Sequence, residues 1–388
     1  MITRANAKFH VLCIVGTRPE AIKMAPVIAA LNAAPWTRVT TMVSGQHREL
    51  LRQALATFAI TPDVDLDVMT DNQTLSRLTA RLFERFEPAL RDLAPDIVLA
   101  QGDTTTVMAA ALSCHYLGIK FAHVEAGLRS GNVRNPFPEE MNRIVAGVVT
   151  DLHFAPTQHA RQALLNERVP AERIVVTGNT VIDALLSTVG RAPASPWPSD
   201  PSKRLILLTA HRRESFGAPL EGVMRALRDI VAADANLELL FPVHPNPTVR
   251  AMASATFGSQ ERVHLVDPLA YENFVAAMKQ AYVIVSDSGG VQEEAPALGK
   301  PVLVIREETE RNEAVVAGVA KLIGTNADVV HAEVMRLLTD KSEYAAMSRG
   351  ASPYGDGAGA ARIVDALEVH FGVKPRRSMP DWTFENDA

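Results

Sequence analysis

The chain predicts two α/β domains, each a doubly wound parallel sheet. Three observations carry that expectation. Short β-branched runs alternate with longer helical patterns along the whole length, 388 residues suit two domains of ordinary size, and a Pro- and Ser-rich stretch splits the alternation into two series. In the first series the strand-like runs are residues 9–15, 38–43, 96–100, 119–124, 152–155 and 173–176. The composition then shifts over 192–201, and strand-like runs resume at 205–208, 237–241, 263–266, 282–285 and 301–305. Helical patterns at 327–338 and 358–371 close the chain. The expected division is an N-terminal domain over 1–190, a linker over 191–202, a C-terminal domain over 203–373 and a loosely ordered tail over 374–388.

Composition narrows the function. A hydrophobic content of 47% with 21% charged residues is that of a globular protein, and a net charge of −5 offers no basic excess for nucleic acid or an anionic membrane surface. No stretch is long and apolar enough to insert in a membrane, and the apolar run 9–15 ends in Gly16-Thr17-Arg18-Pro19 with no small-residue cleavage site, so it reads as a first strand. Only Cys13 and Cys114 occur, in a predicted strand and a predicted helix, which argues against a disulfide framework or a zinc site. A cytoplasmic location is expected.

Sheets of this kind bind ligands beyond the carboxyl ends of their strands, and polar motifs stand there repeatedly. After 282–285 comes Ser286-Asp287-Ser288-Gly289-Gly290, followed by Val291, Glu294 and Ala295 at helical spacing. The glycines allow close approach, and the first-turn N–H groups and helix dipole favour an anion, so Ser288, Gly289 and Gly290 suit a diphosphate. Glu294, a turn or two into that helix, is placed for a ribose diol. An ordinary Ser cap is the competing reading. Later, Arg311 in the run 308–313 is placed to reach the same nucleotide, against the alternative of a solvated charge run.

After the first strand, Pro19 suits the first position of a helix, and Arg18 and Lys23 offer cations to phosphate near its N-terminus. A cation there opposes the helix dipole, which favours a functional reading. Gln101-Gly102-Asp103 follows the third strand, His123-Val124-Glu125 closes the fourth, and Pro138-Glu139 opens a helix. Asp103 as an N-cap, a Glu125–Arg129 ion pair and a dipole-balancing Glu139 are the structural alternatives. Three carboxyl positions at one edge exceed what capping requires, and paired carboxylates are what proton transfer needs. In the second half, His211 with Arg212 and Arg213 reads as an anion site, and His244 lies in a proline-fixed loop. The histidines show no HxxxH pair, and the one HxxE, His211 with Glu214, encloses two arginines that repel a cation, so no metal is expected.

With GTRPEAIKMAPV, QGDTTT, HVEAGLRS, PFPEEMNR, GNTVID, HRRESFG, HPNP and SDSGGVQEEAPALGKPVLV in that order over residues 11–362, the chain closely resembles the non-hydrolysing UDP-N-acetylglucosamine 2-epimerases. That resemblance implies two Rossmann-like doubly wound domains in the glycosyltransferase-B arrangement, with the active site in the interdomain cleft. It also implies reversible conversion of UDP-N-acetylglucosamine to UDP-N-acetylmannosamine without cofactor, in a homodimer, supplying activated N-acetylmannosamine for surface polysaccharide. Carried over to this sequence, it makes Asp103, Glu125, Glu139 and His211 catalytic. Arg18, Lys23, Leu269, Phe274, Ser288, Gly289, Gly290, Glu294 and Arg311 then bind substrate. Gln46, His47, Arg212 and His244 resemble a second, allosteric UDP-N-acetylglucosamine pocket. Two positions depart from the family's habit: Asn312 stands where Pro is common, and Leu269 where some members have Gln.

Overall fold

The computed structural model of the chain describes residues 8–45, 48–70, 73–191, 197, 200, 202–210, 216–258, 260–309 and 311–384. Most of the predicted linker therefore lies outside the described residues. The chain divides into two compact units: one runs up to Ala184 and resumes at Tyr354, the other takes Leu185–Pro353.

The first unit is built on β1 (Phe9–Val15), β2 (Thr37–Val43), β3 (Val64–Asp65), β4 (Ile97–Gln101), β5 (Lys120–Val124), β6 (Leu152–Ala155) and β7 (Ile174–Val176). All pair in parallel, in the order β3-β2-β1-β4-β5-β6-β7. Parallel strands need helical crossovers that cover both faces, which is why β1 and β4 carry continuous apolar runs, 11–15 and 97–100, rather than alternating: Val11, Leu12, Cys13, Val15, Ile97, Val98, Leu99 and Ala100 are all fully buried. The helix Leu75–Leu93 shows the complementary pattern, burying Leu78, Leu82, Phe86 and Leu90 along one stripe against that sheet. Cys13 and Cys114 are both buried free thiols.

The second unit is built on β8 (Arg204–Thr209), β9 (Leu237–Pro242), β10 (Val263–Val266), β11 (Ala281–Ser286), β12 (Val302–Val304) and β13 (Ala320–Leu322), parallel in the order β10-β9-β8-β11-β12-β13. Its core joins Ile206, Leu208, Leu239 and Phe241 of the strands to Leu220, Met224 and Leu227 of the helix Ala218–Ala233. The two sheets are thus the doubly wound, Rossmann-like pair that the alternation predicts. Each has one switch point, between β1 and β4 in the first and between β8 and β11 in the second, where strand order reverses and ligands of such sheets bind.

Two expectations need correction. The helix Gly359–His370 belongs to the first unit and not to a domain over 203–373. Asp183 receives the N–H groups of Gly359 and Ala360 at its N-terminus, and the Phe371 ring stacks on Phe9 at 4.3 Å. The tail is also docked as far as it is described. Asp365 accepts from Lys374, Ser378 and Met379, Trp382 N donates to Val176 O at 2.7 Å, and the Trp382 ring lies under Arg362. Its prolines and charges conceal these anchors, which depend on a helix distant in sequence from the strands it covers.

Candidate active site

In the first unit the site is assembled from the loops that follow β1, β4 and β5. Val124 ends β5, and the next residue, Glu125, adopts φ 65°, a left-handed conformation that costs a non-glycine residue about 1–3 kcal/mol. The conformation turns its carboxylate inward, where it is 9% exposed and accepts hydrogen bonds from Lys23 Nζ at 2.6 Å, Asn179 Nδ2 at 3.1 Å and Gln101 Nε2. Two residues on, Gly127 has φ 90° and packs so closely on the helix Gln158–Asn166 that a Cβ there would strike the Ala160 carbonyl. Only glycine fits.

Asp103, on the loop between β4 and the helix Thr105–Leu117, is paired with Arg143, whose Nη2 and Nε lie 2.6 and 3.0 Å from Oδ2. Arg143 also meets Glu140 at 2.9 Å, and Glu140 in turn accepts the N–H groups of Ser130 and Gly131. Asn142 donates to the Asp103 carbonyl at 2.8 Å. Asp103 is therefore not the N-cap of its helix; Thr104 is, accepting from Val107 N. Glu139 stands half-exposed at the first position of the helix Glu139–Val149. Nearby, burial holds the His123 and His153 imidazoles far below their usual range, at about 4 and about 3, so both are neutral at neutral pH.

In the second unit, β11 leads into the helix Gly289–Ala297 through Ser288, which is its N-cap but makes no side-chain cap hydrogen bond. The first-turn N–H groups have no intrahelical acceptor, a geometry that suits an anion. Arg311 crosses it: a Cβ on Gly289 would come within 3.2 Å of the Arg311 guanidinium carbon, and Arg311 Nε is fixed at 3.0 Å from Glu293 Oε1. A cation against a helix N-terminus is unfavourable unless something negative joins it, and Glu293 supplies that charge here. Glu294 is buried, accepts from Tyr271 Oη at 2.6 Å, and turns its other oxygen towards Gly290. Phe274 is half-buried on the helix Tyr271–Gln280, Leu269 precedes that helix, and His244 Nδ1 accepts from Asn246 N while its ring faces Phe216. Among the described residues no group of three or more His, Cys, Asp or Glu is placed to hold a metal.

The family model described as UDP-N-acetylglucosamine 2-epimerase matches residues 29–368. The chain belongs to that family. It is 49% identical over 370 residues to the UDP-N-acetylglucosamine 2-epimerase of Salmonella typhimurium, covering 93% of this chain and 98% of that one. Against the Bacillus subtilis enzyme of the same name it is 47% identical over 375 residues, covering 96% and 98%. Among solved structures, the S. aureus MnaA–UDP complex aligns with a TM-score of 0.88 at 42% identity over 96% of this chain and 100% of that one. The Neisseria meningitidis UDP-GlcNAc 2-epimerase bound to UDP-GlcNAc gives 0.87 at 40% identity over 92% and 99%. The motif-based assignment to the epimerases and the two-sheet architecture are those of these relatives.

Within the family frame, the sequence-expected residues separate cleanly by unit. Arg18, Lys23, Asp103, Glu125 and Glu139 lie in the first; Leu269, Phe274, Ser288, Gly289, Gly290, Glu294, Arg311 and His244 lie in the second. His211, Gln46, His47 and Arg212 lie outside the described residues. The alternative ion pair of Glu125 with Arg129 is not formed: Arg129 holds Glu167 at 2.6 and 2.8 Å. Lys23, expected at a phosphate, is paired with Glu125 at 2.6 Å. Gln101, Asn179, Arg143, Glu293 and Tyr271 escaped notice as individuals. All but Tyr271 stand inside the quoted motifs, and their partners come from distant segments that spacing does not reveal.

Proposed function

We infer that the chain interconverts UDP-N-acetylglucosamine and UDP-N-acetylmannosamine by eliminating UDP to a 2-acetamidoglucal intermediate and adding it back. The observation that carries the reading is the Glu125 carboxylate, buried in a strained backbone conformation and held by an ammonium and two amides, in a chain of the epimerase family. The hydrogen on the sugar's carbon 2 has no carbonyl beside it, so a carboxylate removes it only as the anomeric C–O bond to phosphate breaks. That electron pair leaves with UDP, the C–H pair becomes the carbon 1–carbon 2 double bond, and the proton passes to a carboxylate. Protonation of carbon 2 on the opposite face and return of the UDP oxygen to carbon 1 complete the inversion. The sequence is redox-neutral and needs no nicotinamide.

Roles follow from chemistry. Asp103, Glu125 and Glu139 are the proton-transfer carboxyls. Ser288, Gly289, Gly290 and Arg311 take the departing diphosphate, with Arg18 and His211 adding positive charge, and a leaving group so stabilised lowers the barrier where charge develops. Glu294 holds the ribose, Phe274 and Leu269 the uracil, and Lys23 is paired with Glu125. The same reading takes the protein as a cytoplasmic homodimer that supplies N-acetylmannosamine for surface polysaccharide. A second UDP-N-acetylglucosamine at Gln46, His47, Arg212 and His244 acts as activator.

Pure protein incubated with UDP-N-acetylglucosamine in deuterated water tests the core of it. Both epimers should accumulate with deuterium at carbon 2 in the NMR spectrum. Free N-acetylmannosamine would mean a hydrolysing enzyme, and unlabelled, unchanged substrate would mean a transferase or a UDP-sugar sensor.

A further inference from the structure

Beneath the site of the first unit lies a carboxyl that the mechanism above does not use. Glu20, on the helix Arg18–Ala33, is 3% exposed. Its Oε2 accepts the N–H groups of Gly16 and Thr17, the latter at 3.0 Å, and so ties down the turn that leads from β1 to Arg18 and Lys23. The turn is packed tightly. A Cβ on Gly16 would meet Glu20 Oε2 at 3.0 Å, Ser44 Oγ at 3.0 Å and Thr106 Oγ1 at 2.8 Å, and those two hydroxyls join each other at 3.1 Å. One carboxyl thus ties the end of β1 to its own helix inside a turn that packs on Ser44, at the end of β2, and Thr106, at the start of the helix Thr105–Leu117, while its Oε1 is buried with no hydrogen-bond partner.

We propose that Glu20 is a positioning residue for the epimerisation, a buried carboxylate that holds the Arg18- and Lys23-bearing turn against the Asp103-bearing turn and acts on substrate only through them. The proposal rests on the epimerase reading. The ionised form does the holding, because an N–H bond to a carboxylate is roughly twice as strong as one to a neutral acceptor. Protonation weakens both bonds.

The environment makes that protonation reachable. Burial raises the group to about 7, and the charge of Asp103 adds to the rise, while the Thr104 hydroxyl and the Gly16 and Thr17 N–H groups oppose it. Among the described residues, Asp103 is the charged side chain that faces Glu20 from the β4 side. Ser44, from the β2 side, and Thr104 and Thr106, from the helix that follows β4, present only hydroxyls. On Glu20's own helix Lys23 is engaged by Glu125, and Arg18 stands at the first position.

Turnover of the wild type should therefore rise with pH through about 7. Glu20→Gln, a mimic of the protonated form, should match wild type on the acid side, lie roughly tenfold below it on the alkaline side, and lose that limb. A variant with the limb intact overturns the proposal alone. A wild type that yields no epimer at any pH overturns the epimerase reading and the proposal with it. Should Glu20→Gln not fold, carbon-13 NMR of glutamate carboxyls in the wild type replaces it. A buried carboxyl titrating together with turnover supports the proposal, and carboxyls that all stay ionised across the limb overturn it.

Discussion

Glu125 is the residue on which the proposed chemistry of the first unit rests, and its test is a neutral isostere. Glu125→Gln should depress turnover by roughly 10²-fold or more while leaving UDP affinity within about twofold, because Glu125 is not among the residues proposed to hold UDP. Comparable turnover in both proteins would make the carboxylate a structural partner of Lys23. His123 and His153 offer a stability readout. Both titrate far below the ordinary value of 6.5 in the folded chain, so the unfolded chain binds more protons and stability falls as pH drops below about 6.5 towards their folded values of about 4 and about 3. By about pH 5 each costs about 2 kcal/mol. Glu20, raised from 4.5 to about 7, works the other way and recovers part of that loss. His153→Gln should then shrink the drop in melting temperature between neutral and acid pH, and an unchanged drop would assign the titration to other groups.

At the scale of elements, the glycine turns decide what fits. Gly289→Val should push the Arg311 guanidinium from the helix end and weaken UDP binding by roughly tenfold, since a charge-assisted contact of about 1.5 kcal/mol or more is lost. Calorimetry with UDP measures it, and equal affinity would remove Arg311 from the diphosphate. The same turns explain what was legible in advance. Ser288-Gly289-Gly290 and Gly16-Thr17-Arg18 are local signals, each a strand end, a glycine and a helix start within a few residues. Strands β3 and β13 were not legible, because a two-residue and a three-residue edge strand carry no periodicity. Nor was the clamp on Glu125. Lys23, Gln101 and Asn179 come from segments 102, 24 and 54 residues away, and only the sheet order brings them together.

For the whole molecule, the C-terminal segment is the part that sequence reasoning misassigned, and its removal is informative. Cutting the chain after Val373 deletes Lys374, Ser378 and Trp382, the partners of Asp365, Val176 and Arg362. A loss of about 2 kcal/mol, read as roughly 5 °C in melting temperature, should follow, whereas an unaltered transition would mean the docked tail adds nothing. The surface of the first unit carries an exposed apolar pair. Tyr116 and Val148, 73% and 81% exposed, lie on the helices Thr105–Leu117 and Glu139–Val149, which pack together. If the proposed homodimer forms and uses this face, Tyr116→Glu with Val148→Glu should halve the mass in sedimentation, and a dimer that survives both charges must use another face.

The central claim is that carbon 2 is inverted while UDP is detached from the sugar. A heavy-oxygen label placed in the bridge between carbon 1 and the diphosphate reports this directly, because a freed phosphate can turn and return through any of its equivalent oxygens. The account predicts that the label moves from bridge to non-bridge positions in recovered UDP-N-acetylglucosamine and UDP-N-acetylmannosamine, at a rate comparable to epimerisation. Complete epimerisation with the label still in the bridge would contradict it.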